Sequence, residues 1–450
     1  MKIPERAPEW RPILQESFDV IFKLQNYNEI NDFIVKVDQR DKYLYWDKFK
    51  HLKLPKNVSA EHLWAYLKFS RQPKIMKASL ISDKDEKFGY CIPSSVLENL
   101  SFIDKHTSGE IIVGDSSIHK SEQKRYLVNS LMEEAIASSQ LEGAATTRKV
   151  AKEMLRSGRR PKNNAEQMIF NNYKTIAGMK DLIDKPLDDN ILFKLHKSMT
   201  IDTMDSSECG RFRTMEDDKI YVVDSEGNIL HDPPKADKIS SLMKTLYDYA
   251  NDVNDSHFVH PIIKAINLHF YLSYIHPFMD GNGRTARALF YWYAIKHDYW
   301  MFEYLTISRV FLDAPSKYAR AFLYTEMDSL DLTYFISFHL RVIKNSIVKL
   351  VEYIKRKQKK ASETSYYLKK YKELNERQRS LIKHAVEHPD EQYAIAMHQN
   401  IHNITYEAAR KDLKFLEMKK LLVRIKKERR YYYMPSDNLL KRIKDKMMPK

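Results

Sequence analysis

Apolar side chains recur every three or four residues over long stretches of this chain, and this periodicity constrains its fold more than any other feature. In residues 121–139, for example, Leu127, Leu131, Ala135 and Ile136 fall on one helical face. Glycine, which weakens helices, occurs only 10 times in 450 residues. We therefore expect a mainly α-helical protein, and its length predicts roughly two or three domains.

One stretch departs from the helical pattern. In residues 219–230, KIYVVDSEGNIL, two short apolar runs flank the turn-rich segment 224–228, which contains a glycine. This arrangement is typical of a β-hairpin. Pro233 and Pro234 end it, and a helix is expected to resume near Ala236.

Four segments are predicted from these patterns. Residues 1–110 are expected to form a helical N-terminal region, and residues 111–345 a long helical body that includes the hairpin. Residues 346–375 read as a basic helical linker, and residues 376–440 as a compact basic module.

Positive charge is concentrated at the C-terminal end. Residues 351–450 contain 26 basic and 13 acidic side chains, which accounts for +13 of the net charge of +15. A basic tail on a nearly neutral body indicates a polyanionic partner, most simply nucleic acid. The alternative is a solvated, lysine-rich face without a partner.

The sequence predicts a soluble cytoplasmic protein. Cys91 and Cys209 lie far apart and lack metal-ligand spacing, which favours a reducing compartment. The N-terminal residues lack the continuous apolar stretch of a signal peptide, and no segment reaches the ~18 apolar residues of a membrane span. No membrane partner is therefore expected.

Residues 276–287, HPFMDGNGRTAR, have the features of a phosphate site. Helical apolar spacing precedes this segment, Pro277 disfavours continuing that helix, and a new helix is expected to begin near Asn282. A turn at Gly281–Gly283 that opens a helix presents backbone N–H groups and the positive end of the helix dipole. Both suit a diphosphate.

The side chains of the same segment add charge and a base. Arg284 and Arg287 lie three residues apart and could clamp phosphate oxygens from one helical face. Asp280 suits a Mg²⁺ ion that bridges phosphates, and His276 suits general-base chemistry near neutral pH. Taken singly, a histidine is more often a packing residue and an arginine pair a surface ion pair. Their combination within 12 residues favours a catalytic site.

This segment resembles the signature of the Fic family, H-x-F-x-[D/E]-G-N-G-R-x-x-R, at every defined position. The resemblance covers about residues 111–345 and implies a Fic-type helical body that transfers AMP from ATP to a protein hydroxyl. The roles it implies are general base for His276, Mg²⁺ ligand for Asp280, phosphate cradle for Gly281, Asn282 and Gly283, and phosphate clamps for Arg284 and Arg287.

A second motif lies upstream, where Ser138, Glu142 and Gly143 occur in SSQLEG. Ser138 and Glu142 are four residues apart and share a helical face, and Gly143 could end that helix. The motif resembles the Fic inhibitory motif, [S/T]-x-x-x-E-[G/N], in which the glutamate pairs with the second arginine of the signature. The resemblance implies that Glu142 binds Arg287 and keeps the ATP γ-phosphate from its productive position.

The resemblance also implies roles for the hairpin and for Tyr318. In Fic proteins a β-hairpin flap aligns the target segment by strand pairing, and the candidate residues here are Ile220, Tyr221, Val222 and Val223. The alternative is a hairpin that only covers the core. Tyr318 is a candidate contact for adenine.

Residues 376–440 are predicted to form a winged helix-turn-helix domain of α+β class. Helices at 376–390, 394–401 and 405–420 precede a strand, a basic turn and a second strand. The candidate nucleic-acid contacts are Arg410, Lys411 and Lys414 on the third helix and Lys426, Lys427, Arg429 and Arg430 on the wing. The alternative is a protein-docking or dimerising domain.

Two classes of function remain open. The first is a self-inhibited, Mg²⁺-dependent adenylyltransferase that uses ATP to modify Ser, Thr or Tyr hydroxyls of a target protein and of itself. The second is a DNA-binding regulator whose Fic body senses nucleotide. Removal of AMP by the same site is a further alternative, and an oligomer is compatible with each.

Overall fold

The computed structural model describes residues 1–23, 27–38, 43–107, 112–113, 116–117, 120–224, 226–253, 257–427 and 430–447. The chain forms two compact units, Met1–Leu350 and Val351–Lys450. The boundary between them falls within the segment 346–375, which the sequence predicts as a linker. No helix within the described ranges has the length and apolar character that a membrane span requires.

Helices dominate the first unit, as the apolar periodicity predicts. They are α1 (Leu14–Lys23), α2 (Tyr27–Asp38), α3 (Trp46–Phe49), α4 (Ala60–Arg71), α5 (Ser94–Thr107), α6 (Lys120–Leu141), α7 (Arg148–Ser157), α8 (Asn164–Ala177), α9 (Asp189–Thr200), α10 (Ile239–Ala250), α11 (Pro261–Ile275), α12 (Asn282–Lys296), α13 (Ile307–Asp313), α14 (Pro315–Met327) and α15 (Thr333–Lys370), which continues into the second unit. The strands of this unit form antiparallel pairs, β1 (Met76–Ile81) with β2 (Lys87–Tyr90), β3 (Ile112–Val113) with β4 (Ser116–Ser117), and β5 (Val222–Val223) with β6 (Ile229–His231).

Helices α11 and α12 pack against each other and form the centre of the first unit. Every residue of α11 except Pro261 and Ser273 is buried. Other parts of the protein therefore surround α11 on all sides, and its buried residues include the polar Lys264, Asn267 and His269. The connection between α11 and α12 is therefore anchored at both ends in the core, and this connection carries the motif at 276–287.

The N-terminal region is not wholly helical, which corrects the prediction for residues 1–110. Strands β1 and β2 form a hairpin whose turn contains no glycine or asparagine. Instead, the Ser82 hydroxyl accepts hydrogen bonds from the backbone N–H groups of Lys84 and Glu86, each at 3.2 Å. A turn built by a serine side chain lacks the usual hairpin signal, so the sequence did not reveal it.

The hairpin predicted at residues 219–230 is present, with shorter strands than the apolar pattern suggests. Val222 pairs with His231 and Val223 with Ile229. The carboxylate of Asp224 closes the turn by accepting the N–H of Asn228 at 2.9 Å. Ile220 and Tyr221 precede the first strand rather than belonging to it.

The second unit follows the predicted order of three helices and two strands, and it ends in a helix that the sequence did not predict. Its elements are α16 (Glu376–Glu387), α17 (Ile395–His402), α18 (Tyr406–Met418), β7 (Leu422–Lys427), β8 (Arg430–Pro435) and α19 (Leu439–Met447). Strands β7 and β8 pair antiparallel, and Tyr393 forms a bridge with Tyr433 beside them. The unit has its own apolar core, to which α19 contributes Leu439 and Ile443.

Candidate active site

The loop between α11 and α12 turns sharply at two residues with left-handed backbone. His276 ends α11 with φ 51° and ψ 57°, and Gly281 precedes α12 with φ 78°. A left-handed conformation costs a non-glycine residue about 1–2 kcal/mol, so His276 needs support from its surroundings. A side chain at position 281 would in addition lie 2.7 Å from Cγ2 of Thr200.

Arg213 supplies much of this support. Its Nε donates to the carbonyl of His276 at 2.9 Å, and its backbone N–H donates to the carbonyl of Pro277 at 2.8 Å. Its Nη2 also donates to the carbonyl of Pro234, just beyond β6. These bonds fix the backbone of the loop from a buried guanidinium. Sequence reasoning missed Arg213, because no local pattern links it to residues more than 60 positions away.

Asn282 closes the loop from the inside. Its side-chain oxygen accepts the N–H of Phe278 at 2.9 Å, and its amide nitrogen donates to the carbonyl of Phe278 at 2.7 Å. The side chain of Asn282 is thus engaged with the loop, and what it can offer a ligand is its backbone N–H.

The N-terminus of α12 lacks a side-chain cap, because Gly281 occupies the capping position. The first backbone N–H groups of a helix have no partner within the helix, and the dipole adds partial positive charge there. Asn282 and Gly283 supply these N–H groups. The geometry is that of an anion site.

His276 has the protonation state that a general base requires. Its Nδ1 lies 3.2 Å from the carbonyl of Ser273 and must be the donor, which leaves the lone pair on Nε2. Burial lowers the pKa of His276 to about 4, since desolvation disfavours the charged ring. The imidazole is therefore neutral near pH 7.

Arg284, on the first turn of α12, faces Asp280 in the loop just before this helix. Nη2 of Arg284 lies 3.1 Å from Oδ2 of Asp280, while Nη1 donates to the carbonyl of Met199 at 3.0 Å. The Arg284 side chain is fully buried, whereas that of Asp280 is 55% exposed. Asp280 therefore directs a carboxylate towards solvent beside the anion site.

The donor set at this position fits Mg²⁺ bound together with a phosphate. Asp280 is the only carboxylate in HPFMDGNGRTAR, and the described residues contain no cluster of three or more acidic, histidine or cysteine side chains that could hold a metal alone. Mg²⁺ typically takes one or two carboxylates and completes its shell with phosphate oxygens and water.

Arg287, on the next turn of α12, is bound by the end of α6. Its Nη2 lies 2.9 Å from Oε1 of Glu142, and its Nε donates to the hydroxyl of Ser138 at 2.9 Å. Burial opposes the charge of Arg287, yet its pKa is raised, because Glu142, Tyr318 and Glu134 together favour the cation. Gly143 follows with φ 89°, which ends the helical path directly after Glu142.

Glu142 also lies against the predicted phosphate cradle. A Cβ atom at position 283 would come within 2.8 Å of the Glu142 carboxyl carbon. The missing side chain of Gly283 thus leaves the space that the Glu142 carboxylate fills. The same space lies directly beside the N–H groups at the start of α12.

Tyr318 lies in α14 with its hydroxyl 2.8 Å from Nε2 of His269 and its ring stacked on Phe311 at 4.2 Å. Burial raises the pKa of Tyr318 to about 12, although the nearby charge of Arg287 acts in the opposite direction. The structure thus places Tyr318 near Arg287. The proposed contact with adenine remains a prediction.

A second residue that sequence reasoning missed is His196 of α9. Its Nε2 lies 2.9 Å from the carbonyl of Asp280, and its Nδ1 accepts the N–H of Gly210 at 3.0 Å. Its ring stacks on Phe278 with centroids 3.8 Å apart. Burial lowers the pKa of His196 to about 4, so it holds the loop as a neutral donor.

The flap candidates differ in exposure. Tyr221 and Val223 are exposed, at 41% and 53%, whereas Ile220 and Val222 are partly buried. An exposed strand edge is available for pairing with an extended peptide.

The predicted nucleic-acid contacts belong to the second unit. Arg410, Lys411 and Lys414 are exposed on α18, and Arg410 pairs with Glu407 at 3.3 Å. Lys426 is exposed on β7. The backbones of Lys427 and Arg430 pair where the strands meet, and Arg429 lies outside the described residues.

Known proteins with similar sequence or structure belong to one family. Residues 186–294, which include the whole loop, match the Fic/DOC family. This part of the chain, about a quarter of its length, is therefore similar to a Fic/DOC domain. A Fic family protein from Desulfovibrio desulfuricans G20 has a similar fold, with a TM-score of 0.51 at 19% identity over 78% of this chain and 98% of that one.

Curated relatives match over a shorter stretch. Protein adenylyltransferase Fic of Nematostella vectensis is 39% identical over 82 residues, which is 18% of this chain and 17% of the relative. Protein adenylyltransferase Fic of Drosophila willistoni is 36% identical over 98 residues, 22% of this chain and 18% of the relative. The chain thus spans less than a fifth of the length of these relatives.

Proposed function

We propose that this protein is a self-inhibited protein adenylyltransferase, which transfers AMP from ATP to Ser, Thr or Tyr hydroxyls of a target protein and of itself. The observation that carries the proposal is the position of His276: its Nδ1 bonds to the carbonyl of Ser273 and leaves Nε2 free of that bond, at the start of the loop that leads to an uncapped helix N-terminus. The similarity to adenylyltransferases named Fic supports the same chemistry.

In this reaction the target hydroxyl oxygen forms a bond to the α-phosphorus of ATP, and the bond from that phosphorus to the bridging oxygen of the β-phosphate breaks. Nε2 of His276 takes the hydroxyl proton, and pyrophosphate leaves. The N–H groups of Asn282 and Gly283 and the guanidinium of Arg284 stabilise the negative charge of the phosphates. Asp280 would hold Mg²⁺, which supplies positive charge to the phosphates when bound.

Inhibition in this proposal follows from competition for Arg287. The γ-phosphate needs a cationic partner, and Glu142 already occupies Arg287. ATP then binds with a displaced γ-phosphate, so its α-phosphorus is not in line with the incoming hydroxyl. The low resting rate is a consequence of the position of one carboxylate.

The test uses ATP labelled at either phosphate. We expect label from the α-position on the purified protein and on added target proteins, and none from the γ-position. His276→Ala is the matched control and should remain unlabelled. Label from the γ-position would indicate phosphoryl transfer and would contradict the proposal.

Removal of AMP is the alternative reaction at this site, with Glu142 orienting a water molecule. Its signature is loss of α-label from a previously modified protein after ATP is removed. Stable label under these conditions rules it out.

The flap is proposed to align the target segment by strand pairing along Ile220, Tyr221, Val222 and Val223, and Tyr318 to contact adenine. The exposed Tyr221 and Val223 support the first role. The reducing compartment favoured by Cys91 and Cys209 is the basis for placing the protein in the cytoplasm.

A second function, DNA binding by a winged helix in Val351–Lys450, is proposed from the exposed cations on α18. Arg410, Lys411 and Lys414 could neutralise backbone phosphates. Replacing all three by alanine in the full chain should weaken binding to duplex DNA. The slope of the logarithm of the binding constant against the logarithm of the salt concentration should become shallower by about 0.9 for each lost phosphate contact. The control replaces the exposed Lys53, Lys56 and Lys84 of the first unit. If both variants bind duplex DNA equally well, this function is rejected.

A further inference from the structure

A histidine connects the flap, residues 219–231, to α11, the helix that precedes the proposed catalytic loop. His231, the last residue of β6, has Nδ1 2.7 Å from Oε2 of Glu326 in α14 and Nε2 2.8 Å from the carbonyl of Tyr274 in α11. Its side chain is 10% exposed. Tyr274 lies two residues before His276, so the contact ends next to the proposed base.

Both partners of His231 accept hydrogen bonds. A carbonyl oxygen cannot donate, and neither can an ionised carboxylate. A neutral imidazole carries one N–H group and can satisfy only one of them. Since a carboxylate is ordinarily a weaker base than imidazole, the proton shared with Glu326 resides on the ring. The geometry therefore requires an imidazolium ion with two N–H donors.

The charges around His231 favour this cation. Burial alone would lower the pKa of His231, but the hydrogen bond and the charge of Glu326 are stronger and raise it. Asp232, the next residue, acts in the same direction, although it also pairs with Lys219 at 3.2 Å. On α11, the hydroxyl of Tyr274 donates to Asp83, and the charge of His231 is one of the effects that lower the pKa of His276.

A second contact holds the segment just after the flap: Arg213, which donates to the carbonyl of His276, also donates to the carbonyl of Pro234. A guanidinium stays protonated at all pH values at which the protein is used. At the β6 end of the flap, only the contact through His231 can therefore break as pH rises. The turn of the flap is held separately by the N-terminal ammonium group of Met1, which lies 2.7 Å from Oδ2 of Asp224 and 2.8 Å from Oε1 of Glu226.

We propose that His231 is a positioning residue, which in its imidazolium form holds the flap at a set distance from His276 and so presents target hydroxyls to the base. This inference rests on the proposed adenylyl transfer for its consequence in catalysis. When His231 loses its proton, one of its two bonds is lost and the flap is released. The bond is present at low pH and is lost as pH rises through the raised pKa of the folded state.

Hydrogen exchange of the flap amides in the full chain tests the tie without any assay of activity. Protection factors for residues 229–231, at the end of the flap that His231 holds, are compared between about pH 6.5 and pH 9, with intrinsic exchange rates removed. We expect wild-type protection to fall by at least about tenfold, equivalent to about 1.4 kcal/mol.

Two variants make the test specific. In Glu326→Gln the amide can donate to Nδ1 of a neutral His231, whose Nε2–H still donates to Tyr274, so protection should no longer depend on pH. In His231→Phe protection should be low at both pH values. Glu303→Gln, which alters a carboxylate paired with Lys180 at 2.8 Å, is the matched control and should behave as wild type.

The possible outcomes distinguish a failure of the proposed His231 contact from a failure of the proposed function. Three results would each overturn the inference. They are protection that does not change with pH in wild type, protection that still depends on pH in Glu326→Gln, and full protection in His231→Phe at pH 6.5. If the exchange results hold and transfer is active, the KM for a protein acceptor should rise with pH in wild type but not in Glu326→Gln, while affinity for ATP stays constant. If the exchange results hold and no transfer occurs, the tie stands and the proposed function fails.

Discussion

Glu142 and Arg287 form an ion pair of 2.9 Å that joins the end of α6 to the second turn of α12. The Arg287 side chain is 4% exposed and that of Glu142 is 24% exposed. A buried cation beside a carboxylate that solvent can still reach is suited to exchange of the carboxylate for a phosphate. In the proposed mechanism, this exchange would connect the two sequence motifs.

Replacing Glu142 by glycine should raise the rate of self-modification by at least about tenfold, which corresponds to about 1.4 kcal/mol of transition-state stabilisation. The reason is that Arg287 becomes available for the γ-phosphate. The measurement is incorporation of α-labelled AMP at saturating ATP and Mg²⁺. Glu133→Ala, on the same helix but paired with Arg148, serves as the control and should not change the rate.

Adding Arg287→Ala to Glu142→Gly should cancel that gain, because the released arginine is the group that orients ATP. The two substitutions should therefore be strongly non-additive. A folded Glu142→Gly protein with the wild-type rate would show that any inhibition resides elsewhere in the chain.

His276→Ala should remove transfer while ATP binding changes by less than about threefold, since the phosphates are held by backbone N–H groups and arginines rather than by the base. Calorimetric titration with ATP and the labelling assay give the two quantities. Transfer at the wild-type rate would exclude His276 as the base.

Activity should be lost on the acidic side of the pH–rate profile only at an unusually low pH. Because the pKa of His276 in the free protein is lowered to about 4, the ring stays neutral as pH falls from 7 to 5.5, and kcat/KM should remain within about twofold. A histidine with the ordinary pKa of about 6.5 would instead be mostly protonated at pH 5.5. Initial rates at constant ionic strength distinguish the two profiles.

Arg213→Ala should destabilise the fold by about 2–4 kcal/mol and reduce transfer, because several buried carbonyl groups lose their donor and His276 loses support for its left-handed backbone. Urea unfolding and labelling are the measurements. Arg211→Ala, in which the lost guanidinium is 37% exposed and paired with Asp217, should change stability by less than about 1 kcal/mol. Equal destabilisation in both variants would contradict this role for Arg213.

Local features of this protein could be predicted from its sequence because their signals are local. Apolar spacing indicated the helices, and the proline and glycines around 276–283 indicated where α11 ends and α12 begins. The turn-rich segment at 224–228 indicated the hairpin. Where a turn relied on a serine side chain, as between β1 and β2, the same reasoning failed, since serine has no preference for turns strong enough to be read alone.

The surroundings of the site were decided by tertiary structure. Arg213, His196 and Glu326 are polar residues without a distinctive spacing, and each reaches its partner from a distant part of the chain. Their pairing follows from the packing of α9, α11 and α14, which places buried donors next to carbonyl groups that would otherwise be unpaired. Sequence by itself determined which chemical groups the loop carries. Only the tertiary structure decided their protonation, because burial and neighbouring charges, rather than residue type, move a pKa.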